Sequence, residues 1–254
     1  MNNFEKKTKL LINTLFLMQM LISLALPISI HPRLYSSLPT RFIRKFQTDD
    51  VMLPTSVLPY PDGFSISSIT PDIKTRIIGR SYHEDCPVSL NDLRYVTILH
   101  IGFDGLTHQG ELIVHKEIAD IILTIFAQLY DMEYPLEKMQ LIDEYEADDN
   151  ASMASNNTSA FCFRPIAGTH TLSLHSYGLA IDINPLYNPY IHRETISPAS
   201  SPYDKDTGTV PSPYFMTEED PCVRLFKSYG FVWGGDWDSP KDYQHFEYRK
   251  TAAQ

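Results

Sequence analysis

Three residues in the second half of the chain have the types expected of a catalytic zinc site. His175 and Asp182 lie in one short segment, 173–184, and His245 lies in a later segment near the end of the chain. Two imidazoles and one carboxylate are a common ligand set of catalytic zinc, in which the fourth position is left for water. We therefore expect one zinc ion bound by His175, Asp182 and His245.

The segment 178–184 is expected to form a strand that supports this site. In a strand, Ile181 and Ile183 point to one face, whereas Ala180 and Asp182 point to the other. A carboxylate directed under a packed strand must be paired or bound to a metal. Spacing alone leaves open the commoner case, in which each histidine only makes an ordinary hydrogen bond.

The surrounding elements are predicted from the periodicity of apolar residues. Residues 94–103 and 110–114 are expected to form strands, and residues 116–131 a core helix. A second helix is expected over 217–229, and a final strand over 245–249. This mixture predicts a single α+β domain with a mostly antiparallel sheet and flanking helices.

Two segments are expected to be irregular. Residues 147–158 are polar and typical of a solvated loop, and residues 185–213 are rich in proline. A long irregular stretch inside a domain is often functional, as a lid or a binding loop. We expect the second loop to influence which bond of a substrate is cut.

The N-terminal part of the chain has the features of a targeting segment. A basic start precedes the apolar run 10–30, which Pro27 interrupts. Residues 1–25 are therefore predicted to be a signal peptide or, alternatively, a membrane anchor. Residues 26–75 are expected to be a linker rich in proline and serine, and residues 76–250 the catalytic domain. The protein is accordingly expected to be exported to the periplasm, the cell envelope or the medium, with membrane attachment possible.

Composition excludes some classes of protein. The chain has 254 residues, of which 43% are hydrophobic, and a formal net charge of −10. So acidic a chain repels phosphate backbones, and nucleic acid is not an expected partner. The cysteines are Cys86, Cys162 and Cys222. One disulfide with one free thiol and three unpaired thiols are equally consistent with the sequence.

Two motifs resemble those of the zinc D-alanyl-D-alanine peptidase family. The first is Ser-x-His-x-x-Gly-x-Ala-x-Asp at 173–182, and the second is Asp-x-x-His-Phe at 242–246. This family includes D,D-carboxypeptidases, D,D-dipeptidases and L-alanyl-D-glutamate endopeptidases, and the resemblance extends over about 76–250. It implies the fold shared with the hedgehog signalling domain and zinc on His175, Asp182 and His245.

The resemblance also implies roles for residues around the metal. Asp242 matches the catalytic acid/base, and the alternative is an exposed turn residue. Arg164 matches an arginine that holds the substrate and stabilises the oxyanion, although relatives more often have a cysteine directly before it, where this chain has Phe163. Ser173 matches a serine near the substrate amine. Apart from the resemblance, Glu247 is expected either to orient a metal ligand by a hydrogen bond or to pair with a nearby Arg or Lys.

The function predicted from these features is that of an exported zinc metallopeptidase acting on peptidoglycan stem peptides. It would be a D-alanyl-D-alanine carboxypeptidase or a related endopeptidase. A non-catalytic, hedgehog-like zinc module and a cell-wall amidase are the alternatives. Asp242 and Arg164 beside a complete ligand set argue against the non-catalytic module.

Overall fold

The computed structural model describes residues 60 and 62–249. The predicted signal peptide or anchor, residues 1–25, and most of the predicted linker lie outside the described residues. Within the described part of the chain, no helix combines the length and the apolar character needed to cross a membrane.

The first sheet is an antiparallel meander next to a helix. Its strands are β1 (Ser65–Ser68), β2 (Leu93–Ile101) and β3 (Thr107–His115), hydrogen-bonded in that order. The hairpin register places Leu93 opposite His115 and Ile101 opposite Thr107. The predicted strands over 94–103 and 110–114 are therefore present with slightly shifted ends.

Four α-helices lie among the described residues, each short. They are α1 (Pro71–Ile77), α2 (Ala119–Asp131), α3 (Asp149–Ala154) and α4 (Pro221–Ser228). The apolar positions of α2 recur at helical spacing and are buried, as predicted for a core helix. The N-cap of α4 is Asp220, whose side chain accepts a hydrogen bond from the backbone N–H of Cys222, so this helix begins later than predicted.

Two further three-stranded sheets carry the region of the predicted site. One consists of β4 (Ala180–Asp182), β9 (His245–Tyr248) and β7 (Phe231–Trp233), with β9 in the centre. The other consists of β6 (Thr195–Ser197), β5 (Tyr190–His192) and β8 (Lys241–Asp242), with β5 in the centre. All pairings in both sheets are antiparallel.

The main core lies where α2 and α4 meet the first sheet and the sheet of β4, β9 and β7. Phe226 stacks on Phe246 with ring centroids 4.4 Å apart, and its edge meets Phe126 at 6.1 Å. Ile181 and Ile183 are fully buried in the same cluster. The face of β4 that was expected to enter the core therefore does so.

The α+β class and the antiparallel character of the predicted sheet are confirmed, but the strands form three small sheets. The likeness to the hedgehog fold stays a prediction. Residues 147–158 are not a loop throughout, because they contain α3. Residues 185–213 contain the hairpin of β5 and β6. Cys86, Cys162 and Cys222 are free thiols, the last two buried.

The folded domain also begins earlier than the predicted boundary at residue 76. Strand β1 and most of α1 lie within 26–75, the segment expected to be a linker. Thr70 caps α1 through its side chain, and Pro71 occupies the first helical turn, where its missing N–H costs nothing. A proline that suggested a linker is therefore a helix-start residue.

Candidate metal centre and active site

Strand pairing brings two of the predicted ligands together. Asp182 is the last residue of β4, His245 is the first residue of β9, and the two are directly opposite in the antiparallel register. Opposed residues of an antiparallel pair project from the same face. Residues far apart in sequence thus become neighbours on one small sheet.

The third ligand is placed by a single turn of 3-10 helix. His175 lies in the turn Leu174–Tyr177, and the Ser173 hydroxyl accepts a hydrogen bond from the His175 backbone N–H at 3.3 Å. Gly178 ends the turn with a φ of +67°, and a Cβ there would lie 2.7 Å from the backbone nitrogen of His115. Only glycine fits this position without strain, and the chain can then continue into β4.

The three side chains converge on one buried point. His175 Nε2 lies 3.1 Å from Asp182 Oδ2, and His245 Nδ1 lies 3.1 Å from Asp182 Oδ1. The two imidazole nitrogens are 3.2 Å apart, and one ligand atom from each residue lies within 4.8 Å of the others. The structure therefore brings the predicted His175, Asp182 and His245 together in a group that could hold a metal ion.

Hydrogen bonds on the far side of each imidazole determine which nitrogen faces the centre. His175 Nδ1 lies 2.5 Å from the carbonyl oxygen of Ala160, which can only accept, so this nitrogen carries the proton. His245 Nε2 lies 3.3 Å from Glu247 Oε2, a carboxylate oxygen that accepts in the same way. With a metal ion in place of the protons at the centre, each inner nitrogen would offer it a lone pair.

Glu247 makes both of the contacts considered for it. One carboxylate oxygen faces His245, and the other accepts a hydrogen bond from Arg249 Nε at 2.6 Å. The residue is buried in β9. Arg249 therefore neutralises a carboxylate that contacts an imidazole of the candidate metal centre.

The electrostatics of the group favour a cation. Burial alone would raise the pKa of Asp182, but the two imidazoles outweigh it and lower that pKa far below the usual range. Burial alone would lower the pKa of His245, but Asp182 and Glu247 raise it to about 10. The centre thus stabilises positive charge, which a divalent ion would supply in place of protons.

Asp242 lies in β8, opposite Tyr190 of β5, and is not an exposed turn residue. Its Oδ1 is buried and has no hydrogen-bond partner among the described residues. Burial raises the pKa of Asp242 to about 7. Gly234 allows this placement, because a Cβ there would lie 2.5 Å from the carbonyl oxygen of Asp242. Buried polar atoms are rarely unsatisfied, so this oxygen is available to a reacting group.

Arg164 is tied to the same region at its backbone. Its N–H donates to the Ser176 hydroxyl at 3.0 Å, and its carbonyl oxygen accepts from that hydroxyl at 2.8 Å. Its Nη2 donates to Asp149 at 2.9 Å, whereas its Nε is buried with no partner in the described part of the chain. Burial opposes its charge, but nearby carboxylates, among them Asp182 and Asp242, keep the pKa of Arg164 raised.

Two aspects of the site differ in detail from expectation. Ser173 is buried, and its hydroxyl caps the turn that carries His175, so its predicted contact with substrate stays a prediction. Asp149, expected to be solvated, binds Arg164 instead. The sequence Asp-Asp-Asn-Ala-Ser could have indicated that this segment is ordered, because Asp148 is a helix-capping residue and Asp149 is then the first residue of a helix.

Comparison with known proteins agrees with this site. Residues 167–248 match a protein-family model described as D-alanyl-D-alanine carboxypeptidase. The matched range contains the three metal-facing residues and Asp242, whereas Arg164 lies just before it. The match confirms the resemblance to the zinc D-alanyl-D-alanine peptidase family that the two motifs predicted. Searches of curated proteins and of solved structures found no match.

Proposed function

We propose that this protein is a zinc-dependent peptidase that hydrolyses D-amino-acid-containing bonds in peptidoglycan stem peptides. The observation that carries the proposal is the buried group of His175, Asp182 and His245 together with Asp242, which interacts electrostatically with His245 and Asp182 and whose Oδ1 has no hydrogen-bond partner among the described residues. A family match described as D-alanyl-D-alanine carboxypeptidase supports the substrate class. The reaction proposed is that of a D-alanyl-D-alanine carboxypeptidase or a related endopeptidase.

The ligand set suits zinc, since two imidazoles and one carboxylate leave a coordination position open. Bound to these residues, zinc would act as a Lewis acid on the scissile carbonyl and would lower the pKa of water. Asp182, His175 and His245 would hold the ion, and Glu247 and the Ala160 carbonyl would keep the two rings oriented.

Asp242 is the general acid and base of the proposed reaction. It takes a proton from water as the oxygen of that water bonds to the scissile carbonyl carbon. It then gives the proton to the amide nitrogen as the carbon–nitrogen bond breaks. Burial raises the pKa of Asp242 to about 7, which suits a group that accepts and donates a proton near neutral pH.

Arg164 stabilises the negative charge that develops on the carbonyl oxygen. Its Nε–H is buried and finds no acceptor among the described residues, so it can donate to an oxygen of the substrate. Donors held in place before the reaction are effective because they need no reorganisation as charge develops. Ser173 is proposed to lie near the substrate amine, as the resemblance implies.

The same proposal includes export. The basic start and the apolar run at 10–30 fit a signal peptide or an anchor, and peptidoglycan lies outside the cytoplasm. Fractionation of cells that express the full chain should place the protein in the envelope or the medium. Recovery of an intact N-terminus from the soluble cytoplasm would contradict export.

Digestion of purified peptidoglycan by the zinc-loaded protein tests the function. Mass spectrometry of the products should find either released D-alanine or a new amino terminus inside the stem. Stems freed whole from the glycan would instead identify an amidase, and unchanged stems would identify a non-catalytic module. The matched control is zinc-loaded Asp242→Asn, which should yield no new termini.

A further inference from the structure

The tip of the Arg164 side chain forms an ion pair with Asp149, and the guanidinium also interacts with the Cys162 side chain. Nη2 donates to Asp149 Oδ1 at 2.9 Å, and both side chains are about three-quarters buried, at 25% and 28% exposure. The Nε–H of the same guanidinium is buried and unpartnered within the described residues. One edge of the guanidinium is thus held, while another donor is left for a ligand.

The backbone of Arg164 is fixed independently of this ion pair. Ser176 bonds both its N–H and its carbonyl oxygen, and the Ser173 N–H donates to the same carbonyl at 3.1 Å. The long side chain beyond Cα has several rotatable bonds, and backbone contacts do not restrict them. Only a contact at the guanidinium determines where its free donor points.

Asp149 is mounted on a well-anchored element. It is the first residue of α3, whose N-terminus is capped by Asp148. The buried Asn157 side chain ties this helix down, because its amide nitrogen donates to the Ser152 hydroxyl and to the Gln140 carbonyl. A carboxylate on so restrained a helix is a suitable fixed point for a flexible partner.

The ion pair also carries an electrostatic cost that a structural role does not explain. Asp149 lies near enough to Asp242 to oppose its ionisation, and Asp182 adds a third carboxylate to the region. In a largely buried ion pair, the cost of removing both charges from water offsets much of the attraction, so such a pair contributes little net stability. A carboxylate placed near two others is therefore better explained by what it does to Arg164.

We propose that Asp149 is a positioning residue of this site: its carboxylate holds the Arg164 guanidinium so that the buried Nε–H points at the reacting carbonyl. This inference rests on the proposed function, which it deepens by adding a residue outside both motifs. Asp149 does not touch the reacting atoms. It fixes the direction of a donor that does.

Kinetics of zinc-loaded variants on a stem-peptide substrate test the role. Asp149→Ala should lower kcat/KM by about tenfold to about a hundredfold, mainly through kcat, since a misplacement of about 1 Å can cost about a hundredfold. Asp149→Glu should recover part of the loss, and zinc content should equal that of the wild type. The matched control is Asp92→Asn, which breaks the surface ion pair with Lys116 and should leave kcat/KM within twofold.

A double-mutant cycle separates positioning from a general structural effect. In the Arg164→Ala background, Asp149→Ala should cost almost nothing more, because the group that it positions is gone. A full additional loss in that background would overturn the proposal. So would wild-type kinetics of Asp149→Ala alongside a strongly impaired Arg164→Ala.

A measurement that needs no turnover keeps this inference apart from the proposed function. Nitrogen-15 relaxation of the Arg164 Nε–Hε group should report a rigid guanidinium in the wild type and a mobile one in Asp149→Ala. If the wild type cleaves no stem peptide, the proposed function fails, and a mobile guanidinium in the variant still supports the positioning role. Unchanged relaxation in Asp149→Ala would overturn that role whatever the substrate.

Discussion

Substitution of Glu247 tests how the metal centre is held. Glu247→Gln keeps the size of a buried side chain but removes the charge that faces His245 Nε2 at 3.3 Å. The new amide must present either a nitrogen to Arg249 or a nitrogen to His245, and both of these partners are donors. Arg249 donates to the other carboxylate oxygen through both Nε and Nη2, so we expect the amide oxygen to stay with Arg249 and the amide nitrogen to face His245, which then has no acceptor to fix its orientation.

The expected effect is a weaker zinc affinity with an unchanged stoichiometry. Loss of an outer partner of a histidine ligand typically costs about 10–100-fold in metal affinity, or about 1.4–2.7 kcal/mol. The 3.3 Å separation is at the long end of the hydrogen-bond range, so we expect the lower part of that interval. Competition with a chelator of known affinity measures the zinc Kd of each variant.

The chain offers a matched control for this substitution. Glu111 is also a partly buried glutamate held by an arginine, with Arg76 Nη1 at 2.8 Å and the Tyr95 hydroxyl at 2.6 Å, but it contacts no metal-facing residue. Glu111→Gln should bind zinc as the wild type does. A wild-type Kd in Glu247→Gln, or an equal weakening in Glu111→Gln, would refute the orienting role of Glu247.

Three further predictions concern the proposed base Asp242, the glycine packed against it, and the residue that caps α4. Asp242→Asn should keep its zinc and lose about 10²–10⁴-fold in turnover, since the amide cannot accept the proton. Gly234→Ala should displace Asp242 and reduce turnover, whereas Gly102→Ala, whose Cβ meets only the far ends of the Asp104 and His108 side chains, should not. Burial raises the pKa of Asp220 to about 6, so this residue favours folding below about pH 4 and disfavours it as pH rises through 6. Asp220→Asn keeps the cap but does not ionise. As the pH rises from 4 to 7, its free energy of unfolding in urea should therefore gain about 1–2 kcal/mol relative to that of the wild type, which is less than the full pKa shift implies because Asp220 is partly exposed.

The convergence of His175, Asp182 and His245 could be predicted because its signal is local and chemical. The strand face that carries Asp182 follows from the alternation around Ile181 and Ile183, and both isoleucines are indeed buried. The motif around His175 includes Gly178, whose positive φ is needed at that turn. Local pattern and chemistry thus agree at this site.

Other features depend on contacts that no local pattern contains. Helix α3 is only six residues long and mostly polar, so its sequence shows no apolar periodicity. It is held instead by a hydrogen bond from the Asn157 side chain to the Ser152 hydroxyl. Strand β1 consists of Ser-Ile-Ser-Ser and is stabilised by pairing with β2. The division of the strands into three sheets likewise follows from tertiary packing and not from strand propensity.

The central claim is that one zinc ion on His175, Asp182 and His245 makes this protein a stem-peptide hydrolase. Zinc titration of the metal-free protein, with stem-peptide turnover as the readout, tests it most directly. Turnover should rise with added zinc and reach a plateau at one equivalent, while His245→Ala should stay inactive throughout. Equal turnover by the metal-free protein, or no turnover by wild-type protein carrying a full equivalent of zinc, would contradict the claim.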